Sequence, residues 1–229
     1  MSTPYEEQTA DGSPTLYHPD FAQTYHSRHG AVTEARHVFL DQGGVAERLR
    51  TGCPTRVLEV GFGLGLNCLL GADLAVSTGT DFEYTGLECR LLPRRKLAAM
   101  DYARWLQHPE LARWLLDGLP EDGAQSGRIA LSRQFVSLSL ILGDAVCRPW
   151  SGPYEAIWLD AFSPDANPEL WTTDFLAALA DALAPGGCLS TYSARGAVRR
   201  ALQAAGLEVH KRPGPPGKRE MLVAFKSSV

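Results

Sequence analysis

Three glycines at alternating positions, Gly61, Gly63 and Gly65, lie between a short apolar stretch and a segment with helical periodicity. Glycine lets the backbone turn sharply and lets a ligand approach it closely. A dinucleotide site favours a third glycine one residue later, where this chain has Leu66, and a phosphate-binding loop ends in Gly-Lys-Ser/Thr. Glu59, two residues before the first glycine, instead indicates a nucleoside cofactor with a cationic amino-acid end. For the loop alone, a tight turn without a ligand is the alternative.

Acidic residues also stand at the ends of two further apolar stretches. Glu88 closes the next predicted strand, where a carboxylate can accept hydrogen bonds from two ribose hydroxyls. Asp144 follows Leu142-Gly and is placed to accept a hydrogen bond from an adenine amino group. The alternatives are an ordinary strand-end charge for Glu88 and a helix N-cap for Asp144.

Asp160 is the strongest candidate for catalysis. It follows a mostly apolar stretch and precedes Ala-Phe-Ser-Pro, so its carboxylate is expected to enter a cleft beside the cofactor at some desolvation cost. An anion there can hold an amine and accept the proton that the nitrogen must lose to become nucleophilic. Phe162 is placed to stack on a base. The alternatives are a structural carboxylate and a packing ring.

These residues need elements that bring the strand ends together. Apolar, β-branched stretches predict five strands alternating with helices, and a last pair predicts an antiparallel hairpin. The predicted strands are 55–60, 82–88, 135–142, 154–160, 188–192, 207–212 and 220–225, and the predicted helices are 66–75, 92–106, 110–116, 173–183 and 196–205. This order is typical of the Rossmann-like α/β fold of class I methyltransferases. We expect a seven-stranded, mostly parallel sheet with its ligand at the carboxyl ends of the strands.

The length of 229 residues fits one domain. Residues 1–50 are polar and rich in turn formers, so we expect an irregular extension packed on a methyltransferase domain of residues 51–229.

No apolar run approaches the roughly 20 residues of a membrane span, and the start lacks the features of a signal peptide, which together predict a cytoplasmic protein. The cysteines and histidines lack the spacing of metal ligands, so no metal is expected.

Charge is distributed unevenly along the chain. Residues 194–226 contain eight basic and two acidic residues, a net charge of +6. The whole chain has a net charge of −4, so the other residues together carry −10. Phosphate contacts need local positive charge, and this stretch is therefore a candidate surface for a polyanion. A solvated surface is the alternative.

Several stretches resemble the methyltransferase domain of the bacterial MnmC family, nearly end to end. The most specific is the string Asp-x-Phe-x-Pro-x-x-Asn-Pro-x-x-Trp, which begins at Asp160. Further similar stretches are 25–27, 34–40, 61–67, 197–203 and 217–222. The resemblance implies S-adenosylmethionine as the cofactor and places Asp160 and Phe162 at the reacting end. The residues then expected at the cofactor are Glu59, Gly61, Phe62, Gly63, Gly65, Asn67, Glu88, Asp144 and Asp160.

The resemblance also implies a substrate. The family methylates the exocyclic amine of 5-aminomethyl-(2-thio)uridine at the tRNA wobble position, and the anticodon loop would meet basic residues Arg199, Arg200, Lys218 and Arg219. Many relatives carry a flavin domain that acts earlier, so we expect a chain that only methylates and a separate enzyme that supplies the aminomethyl group. Leu64 and the Cys-Arg pair after Glu88 depart from the family pattern without removing a carboxylate.

Two other functions remain open from the sequence. A polyamine aminopropyltransferase, or another small-amine N-methyltransferase, shares the fold, but the paired-aspartate loop of the aminopropyltransferases is not found here. A noncatalytic tRNA-binding module on the same fold is the alternative of another class. Retention of Glu59, Asp144 and Asp160 favours an enzyme.

Overall fold

A computed structural model describes residues 3–147 and 150–228. Its centre is an eight-stranded sheet with the order β10-β11-β9-β8-β4-β5-β7-β6. The strands of this sheet are β4 (Thr55–Val60), β5 (Phe82–Glu88), β6 (Gly127–Arg133), β7 (Val136–Leu142), β8 (Tyr154–Leu159), β9 (Leu183–Thr191), β10 (Glu208–Pro213) and β11 (Glu220–Phe225). The helices are α1 (Ala31–Ala35), α2 (Val45–Arg50), α3 (Leu66–Thr78), α4 (Arg94–Ala99), α5 (Glu110–Asp117), α6 (Thr173–Ala182) and α7 (Gly196–Ala204).

The five central strands, β9-β8-β4-β5-β7, are parallel, and β10 and β11 form the predicted antiparallel hairpin at one edge. The mostly parallel α/β fold is therefore confirmed. The expected number of seven strands is wrong, because β6 pairs antiparallel with β7 at the other edge. Only Ile129 and Leu131 of β6 pack against the core, so the strand has too short an apolar pattern to be recognised from sequence.

The N-terminal region is ordered, and the prediction of an irregular extension is wrong. Its three strands, β1 (Tyr5–Gln8), β2 (Pro14–His18) and β3 (Gln23–Thr24), form an antiparallel sheet. Asp11 joins this sheet to α1 by accepting hydrogen bonds from Ser13 and Thr33. Burial opposes the ionisation of Asp11, but these hydrogen bonds hold its pKa below the ordinary value. Apolar residues from both sides of residue 50 share one core, so the boundary predicted there stays a prediction.

The predicted helix over 92–106 is interrupted. Helix α4 ends at Ala99, and a 3-10 helix spans Tyr102–Trp105. Asp101, between them, has a φ of +44°, in the left-handed region that an α-helix cannot contain. Trp105 and Trp114 are partly buried and pack against the core.

The sheet order decides where a ligand can bind. The chain runs outward from β4 through β5 to β7 on one side and through β8 to β9 on the other. The order therefore switches at the centre, and the crevice at the carboxyl ends of β4 and β8 is where open α/β sheets bind ligands. No helix in the described part of the chain is long and apolar enough to cross a membrane.

Candidate active site

A cavity of about 780 Å³ opens at the carboxyl ends of the central strands. Its lining comes from the glycine loop after β4, from the ends of β5, β7 and β8, and from the N-terminal segment that follows β2. Of the residues that the sequence predicts for the site, the cavity is lined by Gly61, Phe62, Gly63, Glu88, Asp144, Asp160, Phe162 and Lys218. Eight predicted residues thus converge on one place.

The glycine loop packs directly against the turn that follows β8. Gly61 has a φ of +94°, and a Cβ at this position would lie 2.8 Å from the carbonyl oxygen of Asp160. The Asp160 amide also donates a hydrogen bond to the Val60 carbonyl, over 3.0 Å. Glycine at position 61 therefore allows the contact that places Asp160 beside the loop.

Glu88 joins the end of β5 to the glycine loop. Its Oε2 accepts a hydrogen bond from the Gly63 amide and its Oε1 accepts one from the Arg90 amide, each over 2.9 Å. Burial raises the pKa of Glu88, and these two hydrogen bonds oppose that effect. Oε1 also accepts a hydrogen bond from the Cys89 thiol. Oε2 has a further lone pair, so the carboxylate can still accept a hydrogen bond from a ligand hydroxyl.

Asp144 is placed for both of its predicted roles, the adenine contact and the helix N-cap. It lines the cavity, as a contact with an adenine ring requires. Its Oδ1 also accepts a hydrogen bond from the Val146 amide over 2.9 Å, which caps the 3-10 helix Ala145–Cys147. The cap fixes the carboxylate at the cavity edge, so the two roles are compatible.

Glu59, Asn67 and Gly65 lie behind the cavity wall, outside the set of described residues that line it. Glu59 is only 1% exposed, and burial raises its pKa to about 8 although Tyr84 and Asn67 donate hydrogen bonds to it. Direct cofactor contact by these three residues stays a prediction that the cavity does not support.

Asp160 is the half-buried carboxylate at the centre of the site. Burial raises its pKa well above the ordinary value, and the negative charges of Glu59 and Glu34 act in the same direction. A hydrogen bond from Asn67 and the charge of Lys218 act in the opposite direction. Such a shift is expected of a carboxylate that must take up a proton near neutral pH.

Aromatic rings from the N-terminal region form one wall of the cavity. Phe21 stacks on Phe162 with ring centroids 4.5 Å apart, and Tyr25 and Phe162 form a T-shaped pair with ring centroids 5.1 Å apart. Gln23 holds this wall in place, because its side chain donates to the Ser163 hydroxyl and accepts from the Ser163 amide. Of these aromatic residues, only Phe162 is predicted for the site from the sequence. Tyr25 begins one of the stretches that resemble the MnmC family, and this similarity is the signal that could have identified it.

Lys218 is separated from the three arginines with which it is grouped by sequence. Its Nζ donates to Oε1 of buried Glu34 over 2.5 Å and lies 3.9 Å from the ring centre of Tyr192, inside the cavity. The arginines at positions 199, 200 and 219 are exposed and, within the described part of the chain, form no ion pair. A phosphate contact for Lys218 is therefore not favoured.

Two features of the cavity fit a nucleoside cofactor, namely a pair of carboxylates and a stretch of glycine backbone. Glu88 and Asp144 present carboxylates at the ends of adjacent strands, and the backbone of Gly61 and Gly63 forms the wall nearby. Groups of three or more residues able to hold a metal ion were not found among the described residues.

Comparison with known proteins defines the class. Residues 107–227 match the family described as S-adenosyl-L-methionine-dependent methyltransferase, so the chain belongs to that family and uses S-adenosylmethionine.

Individual relatives are more specific. The chain is 38% identical over 219 residues to the tRNA 5-methylaminomethyl-2-thiouridine biosynthesis bifunctional protein MnmC of Aromatoleum aromaticum, covering 93% of this chain and 34% of that protein. The protein of the same name from Caulobacter vibrioides is 36% identical over 214 residues, covering 91% and 36%. The crystal structure of MNMC2 from Aquifex aeolicus superposes with a TM-score of 0.81 at 28% identity, covering all of this chain and 71% of that one. The chain thus spans about a third of the length of these curated relatives.

Proposed function

We propose that this protein methylates the exocyclic amine of 5-aminomethyl-(2-thio)uridine at the tRNA wobble position, giving 5-methylaminomethyl-(2-thio)uridine. The observation that carries the proposal is Asp160, a carboxylate of raised pKa that lines the cavity beside the glycine loop. The name of the curated relatives, which refers to the biosynthesis of this nucleoside, supports the choice of substrate.

The cofactor would lie along the glycine loop, with Glu88 at its ribose and Asp144 at its adenine. When bound, S-adenosylmethionine supplies a methyl group activated by a sulfonium. Glu88 is held for this role by two backbone amides, and Asp144 by its N-cap contact. The ring of Phe62 supports the loop from below, since a Cβ at Gly65 would lie 2.8 Å from it.

The substrate amine needs a proton acceptor. An alkylammonium has a pKa of about 10, so most of the substrate reaches the site protonated and cannot attack. Asp160 is placed to accept that proton, and its raised pKa reduces the difference in basicity between carboxylate and amine.

The uracil ring would bind against the aromatic wall. Both Phe162 and Tyr25 line the cavity, and base–aromatic stacking contributes about 1–3 kcal/mol per base. A wobble base lies in a single-stranded loop, so its entry costs less than removal of a base from a duplex.

The anticodon stem-loop would contact the edge of the sheet formed by β10 and β11. Arg199 and Arg200 on α7 and Arg219 in the hairpin are exposed at this edge. Reversing all three to glutamate is expected to weaken tRNA binding and to reduce the slope of log K against log salt by about 2. Reversal of Arg95, Arg104 and Arg113, three exposed arginines on and around α4 and α5, changes the charge by the same amount and is the matched control. Equal losses in both variants would argue against this surface.

Methyl transfer requires the aminomethyl group to be in place already. An enzyme of another reaction class, one that installs or uncovers a primary amine on the C5 methylene of uridine, must therefore act first.

The decisive experiment combines the protein, labelled S-adenosylmethionine and tRNA containing 5-aminomethyl-uridine, followed by mass spectrometry of the nucleosides. We expect a gain of one methyl group on that nucleoside and none with tRNA that has unmodified uridine there. Methylation of neither tRNA, or of both equally, would refute the proposed substrate.

A further inference from the structure

A continuous polar network runs behind the cavity wall and ends at Asp160. Asn67, in the first turn of α3, donates through Nδ2 to Glu59 Oε1 over 2.6 Å and to Asp160 Oδ2 over 2.8 Å. Tyr84 on β5 donates to the other oxygen of Glu59. A side-chain amide has two N–H donors, so both donors of Asn67 are used by carboxylates.

This geometry conflicts with the role that the family resemblance implies for Asn67. The residue is only 3% exposed and lies outside the described residues that line the cavity. A hydrogen bond from its amide nitrogen to a cofactor would break one of its two contacts with a carboxylate. Its Oδ1 has no hydrogen-bond partner among the described residues, but this oxygen is itself buried away from the cavity. Glu59 is similarly enclosed, with Asn67 and Tyr84 on its two oxygens.

We infer that Asn67 and Glu59 are positioning residues that set the orientation and the charge of Asp160, and are not cofactor ligands. Asn67 holds the Oδ2 oxygen of Asp160, which leaves Oδ1 to meet the substrate. Glu59 acts through Asn67, because its Oε1 fixes the amide that orients Asp160. Only the role of Asp160 as proton acceptor rests on the proposed function; the positioning itself does not.

The two residues act on the charge of Asp160 in opposite directions. The Asn67 hydrogen bond stabilises the ionised carboxylate and lowers its pKa, whereas the negative charge of Glu59 raises it. The other charged or titratable groups that act on this carboxylate or on its network are Glu34, Lys218, Tyr84, Tyr192, Glu88 and Cys68. Removing one network member at a time leaves these groups in place, so the sign of each change can be assigned.

The test is a titration of the Asp160 carboxyl carbon by NMR in the cofactor-free protein, with Asp160→Asn used to assign the signal. Asn67→Leu is expected to move the midpoint to higher pH, and Glu59→Gln to lower pH. Cys68→Ala is the matched control, since Cys68 is the next residue of α3 and is also buried. Burial raises the pKa of its thiol well above the ordinary value, so the thiol stays neutral and its removal changes no charge. The midpoint in this control should equal that of the wild type. Midpoints that stay in place, or that move in the same direction in both variants, would overturn the inference.

Calorimetry with S-adenosylmethionine separates positioning from cofactor binding. We expect the Kd of Asn67→Leu to stay within about threefold of wild type while kcat falls about tenfold to a hundredfold with little change in KM. A tenfold or greater loss of cofactor affinity would make Asn67 a ligand and overturn the inference. If Asn67→Leu does not fold, Asn67→Ser and Glu59→Gln carry the same measurements. The NMR result decides the positioning role even if tRNA is not methylated.

Discussion

Substitution of Asp160 by asparagine tests the chemistry with little change in shape. The amide keeps an oxygen that can accept the 2.8 Å hydrogen bond from Asn67, so the side chain should remain in place. It cannot take up a proton from the substrate. General-base catalysis contributes about 10²–10⁴-fold, or about 3–5 kcal/mol of barrier at 1.36 kcal/mol per tenfold. We expect a loss of that size in single-turnover methyl transfer, with cofactor affinity within about threefold of wild type.

The pH dependence of the same reaction gives a second signature. Asp160 must be ionised to accept a proton, and burial and Glu59 raise its pKa, so the wild-type rate should fall as pH drops below that raised value. The asparagine variant should lose this dependence. Asp165→Asn is the matched control, because Asp165 is exposed and paired with Arg195 at the surface. Turnover of Asp160→Asn within threefold of wild type, with an unchanged pH profile, would refute the role of Asp160.

Three further predictions concern stability and substrate binding. Gly61→Ala should lower stability by about 1–3 kcal/mol more than Gly206→Ala in thermal unfolding, because both have positive φ but only Gly61 lies against the Asp160 backbone; equal losses would contradict this. A carboxyl whose folded pKa is raised stabilises the protein at low pH and loses that contribution as pH rises. The free energy of unfolding of wild type should therefore fall relative to that of Glu59→Gln between pH 4.5 and about 8, by at most about 1.4 kcal/mol per pH unit. Stability curves that run parallel in the two proteins would contradict this prediction. Phe162→Leu should raise KM for tRNA without changing the cofactor Kd, and a changed Kd alone would place the ring at the cofactor instead.

The amino-acid sequence predicts the central architecture because the parallel strands are buried on both faces. Strand β4 spans the predicted residues 55–60, since a continuous apolar stretch identifies a strand of this kind. Strand β5 and the antiparallel strand β11 also match their predicted bounds. Residues that follow the strands then converge, as Glu88 and Asp160 do, because parallel strands end at one edge of the sheet. The similarity of the string after Asp160 to a known family further specifies the proposed substrate.

The tertiary structure alone decides what surrounds these residues. The strand order brings Asn67 within hydrogen-bond distance of Asp160 across 93 positions, and no local pattern encodes a contact at that separation. It also leaves Glu59 outside the described residues that line the cavity and pairs Lys218 with Glu34, two contacts that the sequence does not predict. Local periodicity determines which segments form strands and helices, whereas the polar network of the site depends on how distant segments pack, and that is settled only by the complete fold.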